Sequence, residues 1–192
     1  MASTKPGQRK LQILQALASM LEQPKGDKIT TAALAARLSV SEAALYRHFA
    51  SKAQMYEGLI EFIESTVFGL INQISEREEG GVEQAHAILQ MLLGFAASNP
   101  GMTRVLIGDA LVGEDDRLQA RMNQFYDKIE LAFKQALRVA VTQGHGQEAD
   151  VAARAGLLVS YVTGRWHRFA KSGFKQNPAE GTTLQLSLLL AA

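Results

Sequence analysis

ITTAALAARLSVSEAALYRHFASK, Ile29–Lys52, holds two short helical patterns joined by a tight turn, and the rest of the chain is arranged around it. Thr30 or Thr31 offers a hydroxyl to cap the first helix, satisfying one of the free N–H groups at its start. Ala32 to Leu38 then supply strong helix formers, with Leu34, Ala35 and Leu38 on one face. Ser39-Val40 makes the turn, and Ser41 caps a second helix expected over Glu42 to Phe49. Leu45 and Phe49, four apart, point inward. Ser41, Ala43, Ala44, Tyr46, Arg47 and His48 lie on the other side, offering small residues, hydroxyls and cations. Small residues near a helix start let it enter a major groove, where alanine methyls touch thymine methyls. Tyrosine, histidine and basic side chains further along reach phosphates and fix the register. Ser51 caps the next helix with Gln54 three residues on, and Lys52 in its first turn is a further phosphate contact. An ordinary helical hairpin with an amphipathic surface is the plainer reading of the same pattern.

Val40-Ser41 through Leu45-Tyr46-Arg47-His48-Phe49, followed by Ser51-Lys52, resembles the DNA-binding signature of TetR-type regulators. That family's turn usually carries a glycine where this chain has Ser39. The resemblance implies an all-α, TetR-like fold. A three-helix helix-turn-helix DNA-binding domain would occupy residues 1–53, and a helical dimerisation and partner-binding domain residues 54–192.

Charge is distributed accordingly. The net charge of +1 conceals an uneven split: residues 1–55 hold eight Lys and Arg against three Asp and Glu, a net of +5, leaving −4 for the remainder. This is the footprint of a nucleic-acid-binding end joined to an acidic domain. Hydrophobic residues make up 47% and charged residues 20%, a globular composition. The chain has no cysteine, which excludes disulfides and thiolate metal sites. No apolar run approaches the roughly 18–20 residues that span a bilayer, and MASTKPGQRK lacks a signal peptide's apolar stretch. A soluble, cytoplasmic protein is expected, with no membrane contact.

Along the chain, Met1 to Gln8 is expected to be an arm in which Pro6-Gly7 prevents a helix. A first helix follows over Arg9–Glu22, with Leu11, Leu14, Ala18 and Leu21 in its stripe and Ile13, Leu17 and Met20 widening it. Pro24-Lys25-Gly26-Asp27 ends it. A long connector runs from Ser51 to about Glu78, and Glu79-Gly80-Gly81 is the next break. Further helices are expected over Val82–Ser98 and Met102–Leu111, from Asp115 or Asp116 to Thr142, and over Glu148–Lys175, with a short one possible over Leu184–Leu190. The stripes Leu118-Met122-Phe125-Ile129-Phe133-Leu137 and Val151-Ala155-Leu158-Val162-Trp166-Phe169 admit two readings: a four-helix dimer interface, or the monomer's own core. Helix-turn-helix proteins usually dimerise to address two half-sites, which favours the dimer.

Catalytic chemistry is not in evidence. His48, His86, His145 and His167 have no metal-ligand spacing, and Gly80-Gly81 leads to no phosphate-binding lysine-serine pair. No enzyme activity, metal or cofactor is expected.

Resemblance extends beyond the hairpin. Leu59-Ile60-Glu61-Phe62-Ile63-Glu64, Leu92-Leu93-Gly94-Phe95, Asn99-Pro100-Gly101-Met102-Thr103-Arg104 and Asp116-Arg117-Leu118-Gln119-Ala120-Arg121 are similar to one member group, the nucleoid occlusion factors. That likeness implies a homodimer on double-stranded DNA, spreading as higher oligomers and associated with the nucleoid. Bound to DNA, it would antagonise FtsZ, the GTPase of the division ring. The partner would dock between the connector helix and the next one, at Phe62, Met91, Gly94 and Asn99. This chain has Leu70 and Ser98 where basic residues would favour an acidic tail. A small-molecule ligand is not expected on this reading. The alternatives are a TetR-type repressor released from DNA by a small apolar ligand, and a purely structural DNA-binding dimer.

Overall fold

The computed structural model describes residues 6–23 and 29–190. Its described residues form helices and loops: α1 (Pro6–Leu21), α2 (Thr31–Arg37), α3 (Glu42–Tyr46), α4 (Lys52–Arg77), α5 (Gly81–Ser98), α6 (Pro100–Leu106), α7 (Asp116–Thr142), α8 (Val151–Lys171) and α9 (Thr182–Leu190). Single 3-10 turns at Asp109–Leu111 and Glu148–Asp150 precede α7 and α8.

Helix α1 begins at Pro6, not Arg9. Proline is tolerated in a helix's first turn, where its missing N–H would have no partner anyway; the expectation that Pro6-Gly7 bars a helix is therefore corrected. Residues 1–5 of the expected arm, and the Pro24-Lys25-Gly26-Asp27 break, lie outside the described residues. The centre of the buried face of α1 is Ile13 and Leu17, at 1% exposure each, whereas Leu11 is 42% exposed. The helix is thus rotated from the Leu11–Leu14 stripe toward the residues that only widened it.

Helices α1, α2 and α3 close over Leu34, Leu45 and Phe49. α2 ends in a Schellman motif: Val40 N–H donates to Ala35 O and Ser39 N–H to Ala36 O, both at 3.0 Å. Ser39 takes the left-handed conformation, φ +54°, where the family prefers glycine. The recognition helix is shorter than its pattern suggests, with regular helix stopping at Tyr46.

The connector α4 has 26 residues, about 39 Å at 1.5 Å per residue. Met55, Tyr56, Leu59, Ile60, Ile63, Val67, Ile71 and Ile74 are all buried along it. Helix α1, which carries α2, packs on α4, as do α5 and α7, so one core runs through both halves. Gly101, at the start of α6, lies so close to α1 that a Cβ there would meet Ala18 O at 1.9 Å.

Both stripes offered as a dimer interface are spent on the monomer. Phe125, Phe133 and Trp166 are fully buried, with Leu118, Met122, Ala155, Leu158 and Val162 at no more than 1% exposure. Trp166 Nε1 donates to Leu92 O at 3.1 Å, pinning α8 to α5. The other face of α8 is outward, with Leu157 at 60% exposure among Ala153, Ser160 and Gly164. Among the described residues, no helix is long and apolar enough to cross a membrane.

Candidate DNA and partner interfaces

The hairpin's hydroxyls hold its helices in place. Thr30 Oγ1 accepts from Ala33 N at 3.1 Å, Ser41 Oγ from Ala44 N at 3.3 Å and Ser51 Oγ from Gln54 N at 3.1 Å. Each cap is the residue before its helix, and its oxygen serves a donor three residues on. Gln54 Oε1 reaches back to Ala50 N at 2.8 Å, one residue earlier than a standard capping box.

With Leu45 and Phe49 buried, the opposite side of α3 is open. Ser41, Ala43 and Arg47 are exposed, Tyr46 is 45% exposed, and Ala44 and His48 are half-buried. Thr30 is exposed at the head of α2. Small side chains, hydroxyls and a cation thus share one surface, a composition suited to a major groove and its phosphates.

Two of the expected contacts are engaged within the protein. Thr31 Oγ1 donates to Glu42 Oε2 at 2.5 Å, bridging α2 to α3. Lys52 Nζ lies 2.5 Å from Glu114 Oε1, in the loop before α7, and 5.7 Å from the Tyr56 ring centroid. Burial, with the Glu114 charge adding to it, pushes the Tyr56 hydroxyl far above its ordinary value. Sequence reasoning missed Glu42 and Glu114. Glu114 stands 62 residues from Lys52, and no local spacing signals that contact.

The partner positions lie on α4, α5 and the α5–α6 junction. Phe62 is 39% exposed, while the other apolar residues of its segment, Leu59, Ile60 and Ile63, are at 1% or less. Met91 and Gly94 are half-buried and three residues apart, so both fall on one face of α5, which packs against α4. The space where Gly94 would carry a Cβ is open. Asn99 is less available, since its Nδ2 donates to Phe95 O at 2.7 Å and closes the end of α5. Leu70 is half-buried and Ser98 exposed, leaving the middle of this face without a cation at either position.

Behind Phe62, α7 is tied to α4 by Arg117–Glu57 at 2.9 Å and Arg121–Glu64 at 2.7 Å. The Glu64 hydrogen bond raises the Arg121 guanidinium above its already high ordinary value, against the opposing effect of burial. Among the described residues, no group of three His, Cys, Asp or Glu side chains is placed to hold a metal ion.

Comparison with known proteins agrees with this geometry. Residues 13–59 match the model for bacterial regulatory proteins of the tetR family, and residues 81–192 match the SlmA-like C-terminal domain, described as tetracyclin repressor-like. The nucleoid occlusion factor SlmA of Idiomarina loihiensis is 51% identical over 182 residues, covering 94% of this chain and 93% of its own. That of Aliivibrio fischeri is 47% identical over 193 residues, covering 100% and 98%. The chain belongs to the SlmA family of nucleoid occlusion factors. Within the wider fold, a TetR-like transcriptional regulator from Rhodococcus sp. RHA1 superposes with a TM-score of 0.76 at 19% identity, covering 97% of this chain and 96% of that one. Likeness at that identity is one of fold. The SlmA family consists of DNA-binding regulators rather than enzymes.

Proposed function

We propose that this protein is a DNA-activated antagonist of FtsZ ring assembly, blocking division over the chromosome. Homodimers bind specific chromosomal sites through α2 and α3, spread as higher oligomers and remain associated with the nucleoid. Thr30, Ser41, Ala43, Ala44, Tyr46, Arg47 and His48 form the DNA surface, joined by Thr31 and Lys52 once their internal partners give way. Subunits pair through the outward face of α8, where Leu157 is 60% exposed. FtsZ docks between α4 and α5, on Phe62, Met91 and Gly94, with Asn99 at the groove's end.

The observation that carries the FtsZ reading is Phe62. A large aromatic left 39% exposed on a helix whose neighbouring apolar residues are sealed suits an anchor for another chain. Membership among the nucleoid occlusion factors supports FtsZ as that chain. A ligand-released repressor would need room in the core between α5, α7 and α8, where Trp166, Phe125 and Phe133 are fully buried.

Two variants separate the functions. Phe62→Asp is expected to bind DNA as the wild type does and to lose antagonism of FtsZ polymers. Thr30→Ala is expected to lose operator affinity in an anisotropy titration while keeping its fold by circular dichroism. Loss of both activities in Phe62→Asp, or of neither, contradicts the groove assignment.

A further inference from the structure

We propose that Glu114 holds Lys52 in place of a DNA phosphate, and that binding DNA exchanges the carboxylate for the phosphate and releases the loop that leads into α7. This rests on the DNA-binding role assigned to α2–α4. The internal pair is sheltered: Lys52 and Glu114 lie 2.5 Å apart with their side chains 21% and 10% exposed. Lys52 also borders, with Thr30 and Thr31, a crevice too narrow to admit a water molecule. The ammonium at the start of α4 is thus held by a carboxylate that stands 62 residues on in the chain.

Glu114 follows a single turn that is bounded by two left-handed glycines and held at Asp109 by Lys171 of α8, 2.5 Å away. Gly108 and Gly113 take left-handed conformations, φ +77° and +72°, on either side of the single turn Asp109–Leu111. Glu114 N–H is joined to that turn through Leu111 O at 3.0 Å. Beyond it, Arg117–Glu57 and Arg121–Glu64 continue the attachment of α7 to α4. Lys52–Glu114 is thus the first rung of a ladder whose later rungs flank Phe62 on α4. Thr31 repeats the arrangement on a smaller scale, its hydroxyl given to Glu42.

A phosphate and a carboxylate compete for the same ammonium, so the internal pair opposes DNA binding. Linkage requires the converse: bound DNA weakens the internal pair by the same factor. The surface that reads DNA is in this way connected to the helix that carries the partner groove.

The test uses the full-length protein and a duplex selected by it from a random pool. Glu114→Gln, which keeps the side chain's size and removes its charge, is expected to tighten DNA binding about fivefold or more while lowering the melting temperature of the free protein. In a Lys52→Gln background the same change is expected to leave affinity unaltered. Tightening by equal factors in both backgrounds would reduce Glu114 to long-range repulsion of DNA and overturn the exchange. Unchanged or weaker binding by Glu114→Gln would overturn it as well. Hydrogen exchange on the wild type needs no variant: DNA is expected to speed exchange at Gly113, Glu114 and Asp115, and unchanged or slower exchange there contradicts the proposal. Failure of the wild type to select any duplex would remove the DNA-binding reading itself, a result distinct from these.

Discussion

Ser39 occupies a position that its side chain disfavours. In the left-handed region a Cβ crowds the following carbonyl, yet the Schellman motif at the end of α2 requires that conformation. Glycine removes the clash at some cost in unfolded-chain entropy, so Ser39→Gly should stabilise by a net of about 0.5–1 kcal/mol. A thermal melt should rise by about 1–4 °C; a fall would mean that the hydroxyl contributes more than the backbone loses. Tyr126 gives a pH-dependent counterpart. Burial pushes its hydroxyl from 10.0 up to about 12, and it donates to Leu106 O. A raised folded-state pKa favours the neutral phenol, so its contribution is complete below pH 10 and is lost as pH rises toward 12. Urea unfolding at several pH values across that window should show a shallower loss in Tyr126→Phe than in the wild type. Single-residue features of this kind were legible in the sequence when they were local. The Thr30, Ser41 and Ser51 caps act three residues ahead of themselves. Glu114 acts 62 residues back, and nothing in its neighbourhood announces Lys52.

Elements were legible in number, less so in length and allegiance: α3 ends at Tyr46, α6 at Leu106 and α8 at Lys171, each short of its pattern. The extent of α7 follows from the sequence, with the structure choosing Asp115 over Asp116 as its cap, and so does the stop at Asn99-Pro100. The stripes of α7 and α8 also emerged, because helical periodicity states that a face is buried. Periodicity does not state what buries it. Here α5 does so, through contacts such as Trp166 to Leu92, and the outward face of α8 is left open. The rotation of α1 has the same origin: its stripe was wide enough for either edge to face inward. Close approach of α6 to α1 was not foreseeable from Asn99-Pro100-Gly101, which signals only a turn. Gly101→Ala should therefore separate the DNA-binding unit from the body, since its Cβ would strike the Ala18 carbonyl rather than a yielding side chain. Overpacking of this sort costs about 1–3 kcal/mol, measurable by chemical denaturation; a stability equal to wild type would show that α6 shifts freely on α1.

At the scale of the whole molecule, one helix joins the DNA-binding hairpin to the groove that we assign to a partner. α4 begins in the DNA-facing hairpin, where Ser51 caps it, and ends 26 residues later beside α5. The exposed aromatic that we assign to FtsZ is the eleventh residue of that helix. The uneven charge of the sequence anticipated this division of labour, with a basic end for DNA and an acidic remainder. The partner that we propose was legible only through resemblance, since an exposed Phe62 names no occupant. The central claim is that DNA switches this protein on against FtsZ. Light scattering of FtsZ polymerising with GTP tests it most directly, with the protein added in the presence and absence of duplex carrying its selected site. Polymer should be lost only when that duplex is present. Full polymer in both conditions, with the duplex bound tightly in a parallel titration, would contradict the claim.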